Sequence, residues 1–171
     1  MIFTSESGLL DPSRAAEWAL WYLDHLEVMA AVPGIGSAQR LVAMEEGPPP
    51  SLALYTVSSP AVFDSEIYLR TRGMGPWREL IDQCHYRRNL FDGLDAAPEV
   101  PVDGILLVAD RDVPQEKGLT WLRWVGLDRS TLFRGIAVLP DAAAARRLAT
   151  AVGGPLALYR PVTARLVGRL G

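Results

Sequence analysis

Few residues of this chain could perform chemistry, and its two histidines stand out among them. The 171 residues include only His25 and His85 as histidines. Because imidazole titrates near neutral pH, either one could move protons without a large shift of its pKa. His25 lies in an aromatic run that could form the wall of a ligand pocket, with Trp18, Trp21 and Tyr22. The alternative for His25 is a structural role, packed in an interface with a hydrogen bond to a backbone carbonyl.

Two arginines could bind an anion near these histidines. Arg40 lies on a predicted strand among apolar residues of the same face, so it requires either a substrate oxygen, carboxylate or enolate, or an acidic side chain of the chain itself. A predicted strand over residues 83–91 places His85 and Arg87 on one face. That pair forms either a polar cluster at a cavity mouth or charges that protect a sheet edge.

No motif indicates a metal or a cofactor. The single cysteine, Cys84, excludes an intrachain disulfide and supplies no metal-ligand pattern. The glycines at residues 34 and 36 precede a strand rather than a helix, so they do not form a dinucleotide-binding turn. Serine-hydrolase, zinc-protease and P-loop motifs do not occur. We predict no metal and no cofactor, while the ligation of haem by one histidine is left open.

The stretch that positions His25 runs over residues 17–40. It predicts a long helix, a stop at Pro33 and Gly34, and a strand that carries Arg40. An amphipathic surface helix needs an apolar stripe of roughly 100°. The apolar and aromatic arc of this helix is about twice that width, so we expect one side to cover a sheet. The other side would contact a subunit, a second domain or a ligand.

Composition narrows the function classes. Apolar residues make up 49% of the chain, the net charge is −3, and no basic cluster occurs, which disfavours nucleic acid as a partner. No run of 18 apolar residues predicts a membrane span, and the first residues do not resemble a signal peptide. We therefore expect a cytoplasmic protein, and its many alanines, arginines, prolines and glycines are typical of GC-rich bacteria.

The order of predicted elements divides the chain into two halves. Residues 1–94 read βαββαβ, the ferredoxin-like order. Residues 95–101 read as a linker, and residues 102–171 as a degenerate second repeat. The predicted strands are residues 1–4, 37–44, 52–57, 83–91, 104–109, 131–139 and 156–162, and the second half has predicted helices over 116–126 and 141–152. Both faces of strand 52–57 are apolar, so both should be covered.

Four segments carry a resemblance to a known superfamily. These are WYLDHLEVMAAVPGIGSAQRL, SLALYTVSSPAVFDSEIY, GPW and CHYRRNLF. Together they resemble the dimeric α/β-barrel superfamily, and within it the relatives of the ethyl tert-butyl ether degradation protein and uncharacterised bacterial proteins. The resemblance covers about residues 17–91 and is more specific for fold than for chemistry.

The resemblance implies an α+β fold in which two four-stranded ferredoxin-like sheets pair into a barrel. Two chains would supply them as a homodimer, or two tandem repeats would supply them as a pseudo-dimer within one chain. In such families the histidine that matches His25 often lies near the barrel cavity. The superfamily includes monooxygenases, isomerases, cyclases, aldoxime dehydratases and haem enzymes.

Two functions follow as hypotheses. The first is a cofactor-independent acid/base enzyme for a small hydrophobic, oxygenated compound. His25 would be the general acid/base, Arg40 the oxyanion partner, and the pocket would include Trp18, Trp21, Tyr22, His85 and Arg87. The second is a non-catalytic module that binds a small ligand or assembles with a partner. An open cavity on which His25 and an arginine converge favours the enzyme.

Overall fold

The structure of the protein is a computed structural model that describes residues 1–115 and 117–168. The strands are β1 (Ile2–Ser7), β2 (Ile35–Ala43), β3 (Ser51–Val57), β4 (Arg87–Asp92), β5 (Ile105–Arg111), β6 (Thr120–Leu127), β7 (Phe133–Leu139), β8 (Ala157–Pro161) and β9 (Leu166–Val167). The helices are α1 (Ala15–Ala30), α2 (Glu66–Thr71) and α3 (Ala142–Val152). Short 3₁₀ turns occupy Pro12–Arg14, Pro60–Asp64 and Gly75–Leu80.

Eight of these strands close into an antiparallel barrel. The order around the barrel is β3-β1-β4-β6-β7-β5-β8-β2, and β2 pairs with β3 to complete the ring. The predicted α/β barrel is thus confirmed, and the ring closes within one chain. The quartets β2-β3-β1-β4 and β6-β7-β5-β8 repeat the same order of strands. Descent of the two halves from a tandem ferredoxin-like repeat stays a prediction.

Helix α1 covers the outer face of the barrel wall, as its sequence predicts. Asp11 caps the turn before it, where Asp11 Oδ1 accepts from the backbone N–H of Ser13 at 3.0 Å. Gly34 follows the helix with a φ of +88°, and a Cβ there would lie 2.5 Å from Val62 Cγ2, so only glycine fits. The buried stripe of α1 consists of Trp18, Tyr22, Leu26, Met29 and Ala30. Its second apolar side, with Leu20, Leu23 and Val28, is exposed.

The barrel wall separates two apolar layers. The lumen is filled by side chains from alternate positions of the strands, which are Ile2, Leu41, Leu52, Leu54, Phe91, Leu106, Val108, Leu122, Ile136 and Tyr159. Outside the wall, α1 and α2 cover one core and α3 covers another. Every residue of β3 is buried, because its two faces contact these two layers. This confirms the prediction for residues 52–57.

The segment predicted as a linker closes one end of the lumen. Gln39 Nε2 donates to the carbonyl of Val100 at 2.8 Å, and Gln39 Oε1 accepts from the N–H of Val100 at 3.0 Å. The N–H of Ala97 donates to Thr56 Oγ1 at 2.9 Å. Ala97 and Val100 are both buried and join the core of the lumen. Whether residues 95–101 also mark a domain boundary stays a prediction.

Two predicted elements are wrong. The helix predicted over residues 116–126 is strand β6, Thr120–Leu127, because Leu122 turns into the lumen while Arg123 points away to solvent. Its apolar residues fit the spacing of a helix and of a strand, and pairing with β4 and β7 decides for the strand. Residue 116 lies outside the described residues.

The strand predicted over residues 83–91 begins only at Arg87. Asp82 makes a turn before it, because its carboxylate accepts from the N–H of Cys84 at 2.9 Å and contacts His85 Nδ1 at 2.8 Å. His85 therefore does not share a strand face with Arg87, although both residues reach the same cavity.

Within the described residues, the structure contains no helix that is long and apolar enough to cross a membrane.

The closure of the lumen can be tested at Gln39. Replacing Gln39 with Leu leaves a buried N–H and a buried C=O of Val100 without partners, so the free energy of unfolding should fall by about 1–3 kcal/mol. Gln83→Leu, at an exposed position, is the control and should change it by less than about 0.5 kcal/mol. Urea unfolding of the three proteins measures both values. Equal stability of the two variants would contradict the role of Gln39.

Candidate functional site

The residues predicted to form one site lie on opposite faces of the barrel wall. Tyr22 and His25 lie between α1 and the outer face, whereas His85 and Arg87 lie at the open end of the lumen. The resemblance places His25 near the barrel cavity, but α1 holds it on the far side of the wall. The predicted set therefore divides between two places in the fold.

His25 borders a small void under α1, which we call the helix–sheet pocket. The void measures about 20 Å³. Its polar lining consists of Ser5, Tyr22, His25, Tyr55, Tyr68, Arg72, Tyr86 and Arg88. Phe3, Met29 and Met74 complete it on the apolar side. The pocket thus gathers one imidazole, four phenols and two guanidinium groups between a helix and a sheet.

The imidazole of His25 is held by aromatic neighbours. Its ring stacks on Trp21 with centroids 4.7 Å apart and planes at 12°, and it meets the edge of Tyr22 at 5.8 Å. Burial disfavours the charged imidazolium and lowers the pKa of His25 to about 4. At pH 7 the imidazole is therefore neutral and can accept a proton.

The four tyrosines of the pocket supply hydroxyl groups that keep their protons. Burial raises the pKa of Tyr22, Tyr55, Tyr68 and Tyr86 above the ordinary value for tyrosine. Around neutral pH each phenol can therefore donate a hydrogen bond, for example to an oxygen atom of a ligand.

An arginine-lined cleft leads from the surface to this pocket. The cleft has a volume of about 540 Å³, and Arg72, Arg78 and Arg88 line it. It shares Arg72, Arg88 and Tyr86 with the helix–sheet pocket, so the two spaces are adjacent. The Nε atom of Arg88 is buried and has no hydrogen-bond partner within the described part of the chain, while its Nη2 lies 3.6 Å from Asp128 Oδ1. The guanidinium group of Arg88 is therefore only partly available to an anion in the cleft.

Arg40 is buried beside the pocket and does not line it. Its guanidinium carbon lies 4.7 Å from the ring centre of Trp18 and 4.4 Å from that of Tyr22, and its Nε donates to Ser51 Oγ at 3.0 Å. Aromatic faces therefore take the place of the predicted anionic partner. Burial lowers the pKa of Arg40, and the neighbouring Tyr22 and Tyr55 partly oppose this shift.

A second cavity of about 430 Å³ opens at the end of the barrel opposite to the Val100 loop, and we call it the barrel mouth. His85 and Arg87 line it, together with Glu6, Asp110, Arg134 and Tyr159. Its apolar walls come from two loops, which contain Pro48, Pro49 and Leu156.

A buried ion cluster forms the floor of the barrel mouth. Arg134 on β7 donates from Nε and Nη2 to the two carboxylate oxygens of Asp110 at 2.8 and 2.7 Å. Its Nη1 reaches Thr4 Oγ1 at 3.1 Å and pairs with Glu6. Since β4 and β6 separate β7 from β1 in the wall, these contacts cross the lumen. The two carboxylates and their hydrogen bonds raise the pKa of Arg134 despite its burial.

The sequence analysis missed most of these residues. Glu6, Asp110 and Arg134 each occupy a lumen-facing position of a strand whose other lumen positions are mainly apolar. A charged residue at such a position is the signal that could have identified them. Tyr55, Tyr68, Arg72 and Arg88 come together only through the packing of α2 and the Gly75–Leu80 turn, and no spacing in the sequence indicates it. Among the described residues, no group of three or more histidine, cysteine and acidic side chains could hold a metal ion.

The low pKa of His25 can be tested by its effect on stability. Its folded-state pKa of about 4 lies below the ordinary value of 6.5, so the stability that comes from keeping His25 neutral is fully present above pH 6.5. This stability is lost as the pH falls through 4, and the loss is up to about 3 kcal/mol. His25→Phe should lack this dependence, so the stability difference between the two proteins should change over that range. Urea unfolding and NMR titration of His25 measure it. Titration of His25 near its ordinary pKa would contradict the assignment.

Comparisons with known proteins agree with the observed fold. No protein-family model matches the chain, and a search of curated proteins finds no significant match. A solved structure named "putative chlorite dismutase" is similar with a TM-score of 0.60 at 14% identity, over 95% of both chains. A "putative monooxygenase" from Lactobacillus acidophilus gives a TM-score of 0.55 at 8% identity, over 98% of this chain and 99% of that one. At such identities the likeness concerns structure alone, and it shows that the chain has the dimeric α/β-barrel fold.

Proposed function

We propose that this chain binds a small acidic, oxygenated compound in the arginine-lined cleft, with one small group in the helix–sheet pocket, and catalyses a proton transfer on it without a cofactor. The observation that carries the proposal is that the pocket and the cleft are adjacent and share lining residues. Arg72 and Arg88 border both spaces, and His25 lies at the inner end. A neutral imidazole is thereby placed next to the position where an anion would bind.

The arginines would select the ligand. Arg72 and Arg78 are exposed at the cleft, and neither forms an ion pair among the residues that the structure describes. A carboxylate or enolate in the cleft could accept bidentate hydrogen bonds from such a guanidinium group. Because Arg40 does not line the pocket, we assign the oxyanion role to Arg72 and Arg88. Arg40 would act as a positioning residue that holds Trp18 and Tyr22.

The size of the pocket limits what can reach His25. A void of about 20 Å³ holds roughly one water molecule. The body of the ligand would therefore occupy the cleft of about 540 Å³, and one small group would enter the pocket. The tyrosine hydroxyls would donate hydrogen bonds to an oxygen on that group, while the imidazole accepts a proton from a neighbouring atom.

Binding of an anion would also adjust the basicity of His25. Desolvation sets its low pKa, and a negative charge nearby favours the imidazolium. An acidic ligand would thus raise the pKa of His25 towards neutrality, which is the range in which a general base works best. The empty site would hold His25 neutral, and the loaded site would make it a stronger base.

Two further points support an enzyme of this fold, and neither identifies the substrate. Two structural neighbours are named "putative chlorite dismutase" and "putative monooxygenase". The sequence segments around His25 resemble relatives of the ethyl tert-butyl ether degradation protein. We propose that the chain is related to these proteins and that its two halves arose as a tandem repeat. His25, Trp21 and Tyr22 of that resemblance all contact one another in the structure.

The alternative is a binding protein without catalysis, and one observation favours it. The middle of the barrel lumen is packed with apolar side chains, so it leaves no central chamber for a reaction. A ligand held only in the cleft by arginines would then be bound and released unchanged. The two functions differ in whether His25 takes part in a proton transfer.

Isothermal titration with benzoate and 3-phenylpropionate tests the binding step. Near pH 6, binding should be accompanied by proton uptake, seen as a dependence of the heat on the buffer's ionisation enthalpy. His25→Phe should abolish the uptake. Arg72→Ala should weaken binding about tenfold, since it removes a charge-assisted hydrogen bond. Arg70→Ala, two residues earlier on α2 and outside the cleft, is the matched control. Absence of binding by the wild type would contradict the proposal.

The catalytic step is tested with phenylpyruvate in D₂O. The wild type should accelerate exchange of the C3 hydrogens over the uncatalysed rate, and NMR follows the loss of their signal. His25→Phe should remove the acceleration while leaving 3-phenylpropionate bound. Binding of acids with no acceleration would support the alternative, a binding protein.

A further inference from the structure

The barrel mouth is a second space that the proposed function does not use. It lies on the lumen side of the wall, whereas the helix–sheet pocket lies on the outer side. Its volume of about 430 Å³ is in the range of small-molecule sites. We propose that the barrel mouth binds a small zwitterionic amino acid with an apolar side chain.

Glu6 on β1 and Arg87 on β4 lie directly opposite each other on adjacent strands. Oppositely charged residues at such positions normally pair with each other. Here Arg134 pairs with Glu6 from across the lumen, and no ion pair joins Glu6 to Arg87 within the described residues. The guanidinium of Arg87 is therefore available to the carboxylate of a ligand.

The floor of the barrel mouth offers carboxylate oxygens that can accept hydrogen bonds. Arg134 directs four of its N–H groups at Asp110, Thr4 and Glu6, so it anchors the floor and has little capacity left for a ligand. The Glu6 side chain is 5% exposed and borders the cavity, while that of Asp110 is 33% exposed. Their carboxylates have further lone pairs, which an ammonium group could use.

The positions of these charges and the apolar walls together indicate which ligand fits the barrel mouth. Arg134 supplies one positive charge against the carboxylates of Glu6 and Asp110, so the floor keeps a surplus negative charge beside Arg87. This pattern complements the adjacent ammonium and carboxylate of an α-amino acid. The loops with Pro48, Pro49 and Leu156 provide apolar surface for a side chain. A ligand with only one of the two charges would leave either Arg87 or the surplus negative charge without a partner.

The test uses L-phenylalanine with two analogues, 3-phenylpropionate and phenethylamine, each of which lacks one charge. Binding is followed by NMR shifts of backbone amides at the mouth, such as those of Gly47 and Ala157. L-phenylalanine should bind the wild type at least about tenfold more tightly than either analogue binds there. Arg87→Leu should weaken it about tenfold, and Arg123→Leu, an exposed arginine outside the cavity, should leave it unchanged.

Arg87 is exposed, so its replacement should leave the fold intact, which thermal unfolding verifies. The proposal is overturned if L-phenylalanine does not bind at millimolar concentration, or if Arg87→Leu binds it as the wild type does. It is also overturned if Arg72→Ala, and not Arg87→Leu, weakens binding, since the ligand would then occupy the cleft under α1. Failure here leaves the His25 proposal unaffected, because the two sites share no residue.

Discussion

The closure of the barrel is the constraint on which the rest of the structure depends. Once β8 pairs with β2, each of the eight strands has two neighbours, and one of its faces turns into the lumen. Side chains at alternate positions must therefore suit either the lumen or the outer face of the wall, which the helices cover in part. Apolar residues satisfy this requirement at most positions, and the few polar ones are held by specific partners. Both candidate sites are places where this requirement is relaxed.

The two sites relax it in different ways. At the barrel mouth, charges in the lumen are tolerated because Arg134 faces two carboxylates and a hydroxyl at the same time. Under α1, burial keeps the groups neutral: His25 is unprotonated at pH 7 and the tyrosines keep their protons. Charge enters that region on the arginines of the cleft at its rim and on the buried Arg40, which lies against the rings of Trp18 and Tyr22. One wall therefore separates a site built on ion pairs from a site built on neutral polar groups.

Local sequence patterns correctly predicted those elements whose arrangement of apolar and turn residues fits only one type of secondary structure. The stop at Pro33 and Gly34, the doubly buried β3 and the helix α3 all follow from short-range chemistry. The order of elements and the resemblance together predicted the barrel. Strand β6 was missed, because its apolar residues suit a helical stripe as well, and only pairing with neighbouring strands distinguishes the two. The role of residues 95–101 in closing the lumen depends on Gln39, which is distant in sequence.

The candidate sites were less predictable than the fold. The sequence indicated His25 and its aromatic neighbours, because they are adjacent on one helix. It gave no means to see that Arg40 would meet aromatic rings, or that His85 and Arg87 would join Glu6 and Asp110 at another place. Such groupings arise from tertiary packing, which brings side chains together from strands that are far apart in the chain.

The seam of the barrel also has a kinetic consequence. Leu41 pairs with Pro161, which is synthesised much later, so the ring cannot close during synthesis until β8 has left the ribosome. Until then β2 presents a free edge beside an already paired β3. Nascent chains in this state can associate edge to edge with one another. The rate at which β8 becomes available thus competes with aggregation of the nascent chain.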